Sequence, residues 1–210
     1  MAIHKEGIMG SFSGKVGPLV GASWRGIPVV RSAPKKSNKP PTSSQLLCRE
    51  RFRVVEAFLN PMSEFLKTNF SIPVEGKTPR NVASTWNNPY AIDETGDKIG
   101  INYSKVLLSQ GILREMEQPQ LLIAPLGSVK LNWKDNSHQA MAWADDILFA
   151  VLYAPDVKEY LYFSEAGLRS DTTALLQLPE TLWEQELHCW AGFKNDDLGA
   201  ISNSVYAGVR

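Results

Sequence analysis

GIMGSFSGKVGPLVGASWRGIPVVRSAPKK, residues 7–36, holds Gly7, Gly10, Gly14, Gly17, Gly21 and Gly26, six of the fifteen glycines in a chain of 210 residues. Between them stand the strand formers Val16, Leu19, Val20, Trp24, Ile27, Val29 and Val30. Glycines this frequent mark tight turns and places where another backbone lies close, and the aliphatics between them suit a pleated strand. The stretch predicts short strands folded back on one another over residues 12–31, not a flexible linker. Pro28 has no N–H to give a ladder, so it belongs at an edge or a turn.

The same stretch falls short of two catalytic signatures. A phosphate loop needs G-x-x-x-x-G-K-[ST]. From Gly10 to Gly14-Lys15 the spacing is one residue short, and Val16 stands where a hydroxyl should be. A nucleophile elbow needs Ser at the centre of G-x-S-x-G, and Phe12 occupies that place. A glycine-hinged hairpin is the reading left.

Working outward, residues 32–42, SAPKKSNKPPT, read as an extended, solvated connector rich in proline and lysine. The net charge of the whole chain is zero, but residues 1–60 hold ten Lys/Arg against three Asp/Glu, net +7, and the remainder carries −7. A basic arm on an acidic body can grip nucleic acid or the acidic body of a neighbouring copy. The glycine- and aliphatic-rich character of the arm favours the second.

Thr42 and Gln45 have capping-box spacing, which predicts a helix from about Ser43 to Asn60. Its expected buried stripe is Cys48, Phe52, Val55, Leu59 and Met62. Pro61 should kink or end it. Thr78-Pro79 predicts a second, short helix through Trp86, stopped by Asn87-Asn88-Pro89. Ile99 to Ser109 alternates like a strand.

From Leu121 onward short alternating runs separated by turn signals predict an antiparallel β-sandwich. Leu131, Trp133, Val151, Leu178 and Leu187 are placed inside, Trp183 also toward the core, and His188 and Trp190 toward the rim. The expected fold class is mainly β with one or two helices. The expected division is 1–41 for the hairpin and basic connector, 42–120 for helix plus strands, and 121–210 for the sandwich.

Two resemblances are carried by particular residues. Leu176–Trp183, then Leu187-His188-Cys189-Trp190-Ala191 and Ser202-Asn203-Ser204, together with Trp133, resemble the later strands and buried tryptophan of a fibronectin type III module. Trp183 stands where that family has a tyrosine corner. The resemblance implies an immunoglobulin-like sandwich and no activity. The run Gly10–Pro18 with Trp24-Arg25-Gly26, Arg31-Ser32, Pro34-Lys35-Lys36, Gln45, Arg49 and Phe52 is similar to an uncharacterised family of Bacteroidota proteins of about this length, a domain of unknown function. It implies no catalytic residues.

His4, His138 and His188 have no metal-ligand spacing, and Asp145-Asp146 lacks a third carboxylate partner. With no cofactor fingerprint and no triad, the expectation is no enzyme, no catalytic residue, no metal and no cofactor. Cys48 and Cys189 are expected as buried free thiols. No signal peptide or membrane span is read in the sequence, which gives a cytoplasmic or virion-associated location as the expectation. The leading function is a structural or assembly protein, such as a phage-like virion or filament subunit, meeting protein partners, further copies of itself included. Its expected contact residues are Gly14, Lys15, Gly17, Trp24, Arg25, Arg31, Lys35 and Lys36. The alternatives are nucleic-acid binding through the basic segment and carbohydrate binding through exposed tryptophans.

Overall fold

The computed structural model describes residues 12–24, 27–35, 39–70, 72–96, 98–125 and 127–210, and the backbone of Ile3–His4. The chain divides into two units, Met1–Ser43 and Ser44–Arg210. In the first, β1 (Ile3–His4), β2 (Phe12–Val16), β3 (Leu19–Trp24) and β4 (Ile27–Ser32) form an antiparallel sheet in chain order. Pro28 lies on the edge strand of that sheet.

The second unit opens with three helices. They are α1 (Ser43–Leu59), α2 (Ser63–Asn69) and α3 (Pro79–Tyr90). Asn60-Pro61-Met62 forms a single 3₁₀ turn between the first two, the interruption that a proline imposes on a helical ladder. Thr78 caps α3, its side-chain oxygen accepting from the Asn81 amide at 3.2 Å, with Pro79 at the first helical position. The helix runs through Asn87 and Asn88 to Tyr90 rather than stopping at Trp86. Pro89 falls in its last turn, and the Asn88 side chain donates back to Ser84 O.

A short pair, β5 (Ile92–Asp93) and β6 (Gly100–Ile101), leads to the sandwich. One sheet has the order β11 (Thr173–Gln177), β8 (Ser128–Lys134), β7 (Glu117–Ala124). The other runs from β10 (Glu159–Phe163) through β9 (Ile147–Ala154) to β12 (His188–Asn195), which is flanked in turn by β13 (Ala200–Ile201) and β14 (Val205–Val209). All of these pairings are antiparallel.

Strands β9 and β12 are apolar at both phases, and both of their faces are buried. Leu148, Ala150, Leu152, Cys189, Ala191 and Phe193 face the other sheet and meet Val129, Leu131, Trp133, Ala174, Leu176 and Leu187. Val151, Tyr153 and Trp190 point the opposite way, into a second core with Val55, Phe58, Leu59, Leu66 and Leu108. Residues 44–210 are therefore three layers: helices, the β9–β12 sheet, and the three-stranded sheet.

This layering corrects several expectations. Val151 is buried, but against helices. Trp190 is fully buried and His188 nearly so, because Phe58 of α1 covers Trp190 and Tyr103 covers His188 at the rim expected there. Trp183 is exposed on a 3₁₀ turn after β11. Phe52 (54% exposed) and Cys48 lie on the half of α1 that precedes the buried segment; burial starts at Val55 and continues through Phe58, Leu59 and Met62. Residues 102–109 leave the strand conformation after Ile101. Val106, Leu107, Leu108 and Ser109 are all buried, so the segment has no solvent phase. Its backbone is satisfied by side chains. Asn87 accepts from Leu107 N at 2.9 Å and donates to Leu107 O at 2.8 Å, and Ser204 Oγ accepts from Leu108 N at 2.8 Å.

Trp133 packs edge-on to Phe193 at 6.0 Å and donates its indole N–H to Arg169 O at 2.8 Å. Trp133→Ala should cost about 3–5 kcal/mol as a large-to-small core change. Urea unfolding that shows a loss under ~0.5 kcal/mol, the surface value, would contradict the register of β8.

Candidate interaction surface

The eight contact residues expected from sequence fall in the amino-terminal sheet and just beyond it. Arg25 and Lys36 lie outside the described residues, as do Gly7, Gly10 and Gly26. Gly17 and Pro18 form the two-residue loop between β2 and β3, closed by Val16 opposite Leu19. Gly17 has φ +55°, and proline holds the next φ near −65°, the sign pattern of a type II′ hairpin turn.

Cross-strand register sorts the rest onto two faces, because residues directly opposite share a face. Lys15, Val20 and Arg31 form one row; Ala22 and Val29, then Trp24 and Ile27, continue the same face. Lys15, Trp24 and Arg31 thus lie on one face, with Trp24 four residues along β3 from the Lys15–Arg31 row. Gly14 is on the opposite face, beside Gly21 and Val30. There a Cβ built at Gly21 would collide with the Phe12 carbonyl oxygen and lie 2.5 Å from its ring. Phe12 lies over that glycine, and Gly21 is buried. Lys35 is exposed beyond β4.

Among the described residues, no core closes either face of this sheet. Val16, Leu19 and Val30 on one face, and Trp24, Ile27 and Val29 on the other, are exposed, Ile27 and Val30 each by 57%. Gly21 is the one described residue of the unit that is buried. A small sheet with apolar groups on both faces gains stability only when something covers it.

The basic face of α1 is largely neutralised. Arg51 forms a two-pronged contact with Glu94, and Arg53 another with Glu50. An open apolar groove of about 660 Å³ runs along the exposed half of α1 past Cys48, Phe52 and Ala57.

The buried polar groups of the second unit went unread in the sequence. Arg169 is fully buried, with Nε 2.9 Å from Asp146 Oδ2, Nη1 donating to Asn136 Oδ1 at 2.6 Å and Nη2 to Arg114 O at 3.0 Å. The guanidinium also lies 3.9 Å from the Phe193 ring centre. Asp146 accepts further from Asn195 and from the Trp143 amide. Each side-chain nitrogen of Arg169 has a partner within the protein, and the cluster clamps one end of the sandwich. The Asp145-Asp146 pair was the only signal for it, and its partner is twenty-three residues away. Burial pushes the Cys189 thiol up to about 12, which makes it inert as a nucleophile. Among the described residues no cluster of His, Cys, Asp and Glu is arranged to hold a metal ion, and no helix is long and apolar enough to cross a membrane.

His188 is buried between Tyr103 and Tyr206. Its Nδ1 is 2.7 Å from Tyr206 Oη, and its ring lies 3.9 Å from that of Tyr103. Nε2 is 3.2 Å from Glu186 Oε1 but without the alignment of a hydrogen bond. Desolvation lowers its pKa, against an opposing pull from Glu186. A histidine whose folded pKa lies below the unfolded value of about 6.5 takes up its proton first in the unfolded chain. Stability should therefore fall as pH drops below about 6.5, until the folded value is passed. Thermal melts from neutral to mildly acidic pH should show this slope, and His188→Gln should flatten it. An equal slope in the variant would contradict the assignment.

Two glycine substitutions separate close approach from turn strain. Gly17→Ala has open space around its Cβ and should cost only the ~1–2 kcal/mol of a left-handed residue. Gly21→Val must displace Phe12 and should remove hydrogen-exchange protection from β2 and β3. Equal protection in both variants would contradict the close packing of Phe12.

No curated protein and no solved structure matches this chain. A family does, over residues 11–208, spanning β2–β4 of the amino-terminal sheet and the three layers of the second unit. The chain belongs to that family, the family of unknown function DUF6266.

Proposed function

We propose that this chain is a non-enzymatic assembly protein that works through protein–protein contacts, as a subunit of a virion-like or filamentous structure. One observation carries the reading: the amino-terminal sheet is apolar on both faces and exposes Val16, Leu19, Ile27, Val29 and Val30. Exposed apolar surface of this kind, rimmed by charge, marks interaction sites. Charge supports the same reading. Residues 1–43 hold seven Lys/Arg against one Asp/Glu, net +6, and residues 44–210 hold fifteen against twenty-one, net −6. Opposite charges on two parts of one chain orient the encounter of two copies more than they add affinity. The family's membership in Bacteroidota and the fibronectin type III character of the sandwich belong to this proposal. The strand order β11-β8-β7 against β10-β9-β12-β14 supports the latter. So does Trp183, whose indole donates at 3.1 Å to Leu178 O five residues upstream, as a tyrosine corner does.

Nucleic-acid binding is the competing reading, through Lys15 and Arg31 on one face and Lys35 beyond. Sedimentation velocity of the full chain over a wide concentration range separates the two. The assembly reading predicts self-association that Ile27→Ser with Val29→Ser weakens while the second unit stays folded. Added salt should slow association without abolishing it. A compact monomer at every concentration, or retention on DNA that falls steeply with salt, would overturn it.

A further inference from the structure

We infer that β4 is an assembly edge that pairs antiparallel with β4 of a second copy of this chain, in the register that sets Val30 opposite Val30. The inference deepens the assembly reading and rests on it.

Strand β4 is the last in its sheet. Among the described residues its outer side pairs with nothing, and all six of its residues are exposed. Which backbone groups it offers follows from one hydrogen bond. The Ala33 amide donates to Pro18 O at 2.7 Å, extending by one step the register in which Leu19 faces Ser32. Bonded and non-bonded pairs alternate along an antiparallel ladder. Arg31, Val29 and Ile27 therefore turn their N–H and C=O groups toward β3, and Ser32, Val30 and Pro28 turn theirs outward. By the same alternation Trp24 and Ile27 form a bonded pair.

Pro28 thus stands at an outward position. Its missing N–H costs no bond to β3, and the free edge offers complete donor–acceptor sets at Val30 and Ser32 and a lone carbonyl at Pro28. A two-fold pairing centred on Val30 matches that pattern. Val30 N–H meets Val30 O of the second copy, Ser32 N–H meets Pro28 O, and each bond has its symmetric equivalent. No outward N–H from Pro28 to Ser32 is left over. Beside these bonds, Val30 packs on Val30 on one face and Val29 against the Arg31 stem on the other.

The neighbouring registers are poorer. Centring on Arg31 keeps bonds between Val30 and Ser32 but sets the two arginines directly opposite, where like charges destabilise. Centring on Val29 carries Ser32 past the start of the partner strand. Exposed edges are commonly blunted by lysines or inward-pointing charges. β4 carries Pro28 and Arg31 and no lysine, and the Val30 register accommodates both.

Cross-linking tests register and partner together. In the full chain with the exposed Cys48 replaced by serine, Val30→Cys and Arg31→Cys are each placed under mild oxidation. In the inferred register the Val30 Cα atoms are about 5.5 Å apart, within disulfide reach. The Arg31 Cα atoms are roughly 8 Å apart, beyond it. Val30→Cys should give a covalent dimer on a non-reducing gel and Arg31→Cys should not. Val30→Pro, which removes an outward N–H and no bond to β3, should weaken self-association about tenfold or more. Cross-linking through Arg31→Cys instead overturns the register. Failure of both cross-links in a chain that still self-associates overturns edge pairing and leaves the assembly reading standing. A chain that is monomeric at every concentration removes both.

Discussion

The burial of β9 and β12 on both faces is the constraint on which the rest of the second unit depends. A strand apolar at both phases must be covered twice. The three-stranded sheet covers one side and the α1–α3 layer the other. This requirement explains why the polar groups in the helical layer are so closely accounted for. Buried Asn87 and Ser204 supply the bonds that a ladder would otherwise give to residues 107–109, and the Ser109 hydroxyl donates to Ser202 O. It also explains the Arg169–Asp146 cluster, which closes the end of the sandwich where β8, β9 and the connecting segments converge. Breaking a buried ion pair of this kind leaves a charge without water or partner, a loss of about 3–5 kcal/mol.

How much of this is legible in sequence follows from where a local pattern has a single meaning. Leu131 and Trp133 alternate with Lys130, Asn132 and Lys134, so β8 has one apolar phase and its core residues are readable. Thr78-Pro79 is a local cap and stands as read. In β12 every phase is apolar or ambiguous, and periodicity cannot say that His188 and Trp190 face a second core. That depends on helices more than a hundred residues away. Phe52 and Cys48 fit the helical stripe, but burial along a helix stops where the partner surface stops. Residues 99–109 alternate like a strand, yet their partners are side chains, which periodicity does not see. The exposed Trp183 is readable only through the corner bond it makes to Leu178.

The amino-terminal sheet is the reverse case. Its strands, turn and edge proline are all local, and each follows from glycine and proline placement. What covers it does not. Alternation within β3 and β4 puts aliphatics on both faces, a pattern that in a large domain means a fully buried strand. Here the same pattern stands exposed, and among the described residues nothing pairs with the outer edge of β4. Of the interaction residues named from sequence, Lys15, Trp24 and Arg31 share one face, while Gly14 and Gly17 shape the strands that carry them.

Residue-resolved amide exchange along β4 at increasing protein concentration tests the assembly account most directly. The Val29 and Arg31 amides are bonded to β3 and should be protected at every concentration. The Val30 and Ser32 amides point outward and should gain protection as concentration rises. Val30 and Ser32 amides that exchange equally fast in dilute and concentrated solution would contradict it.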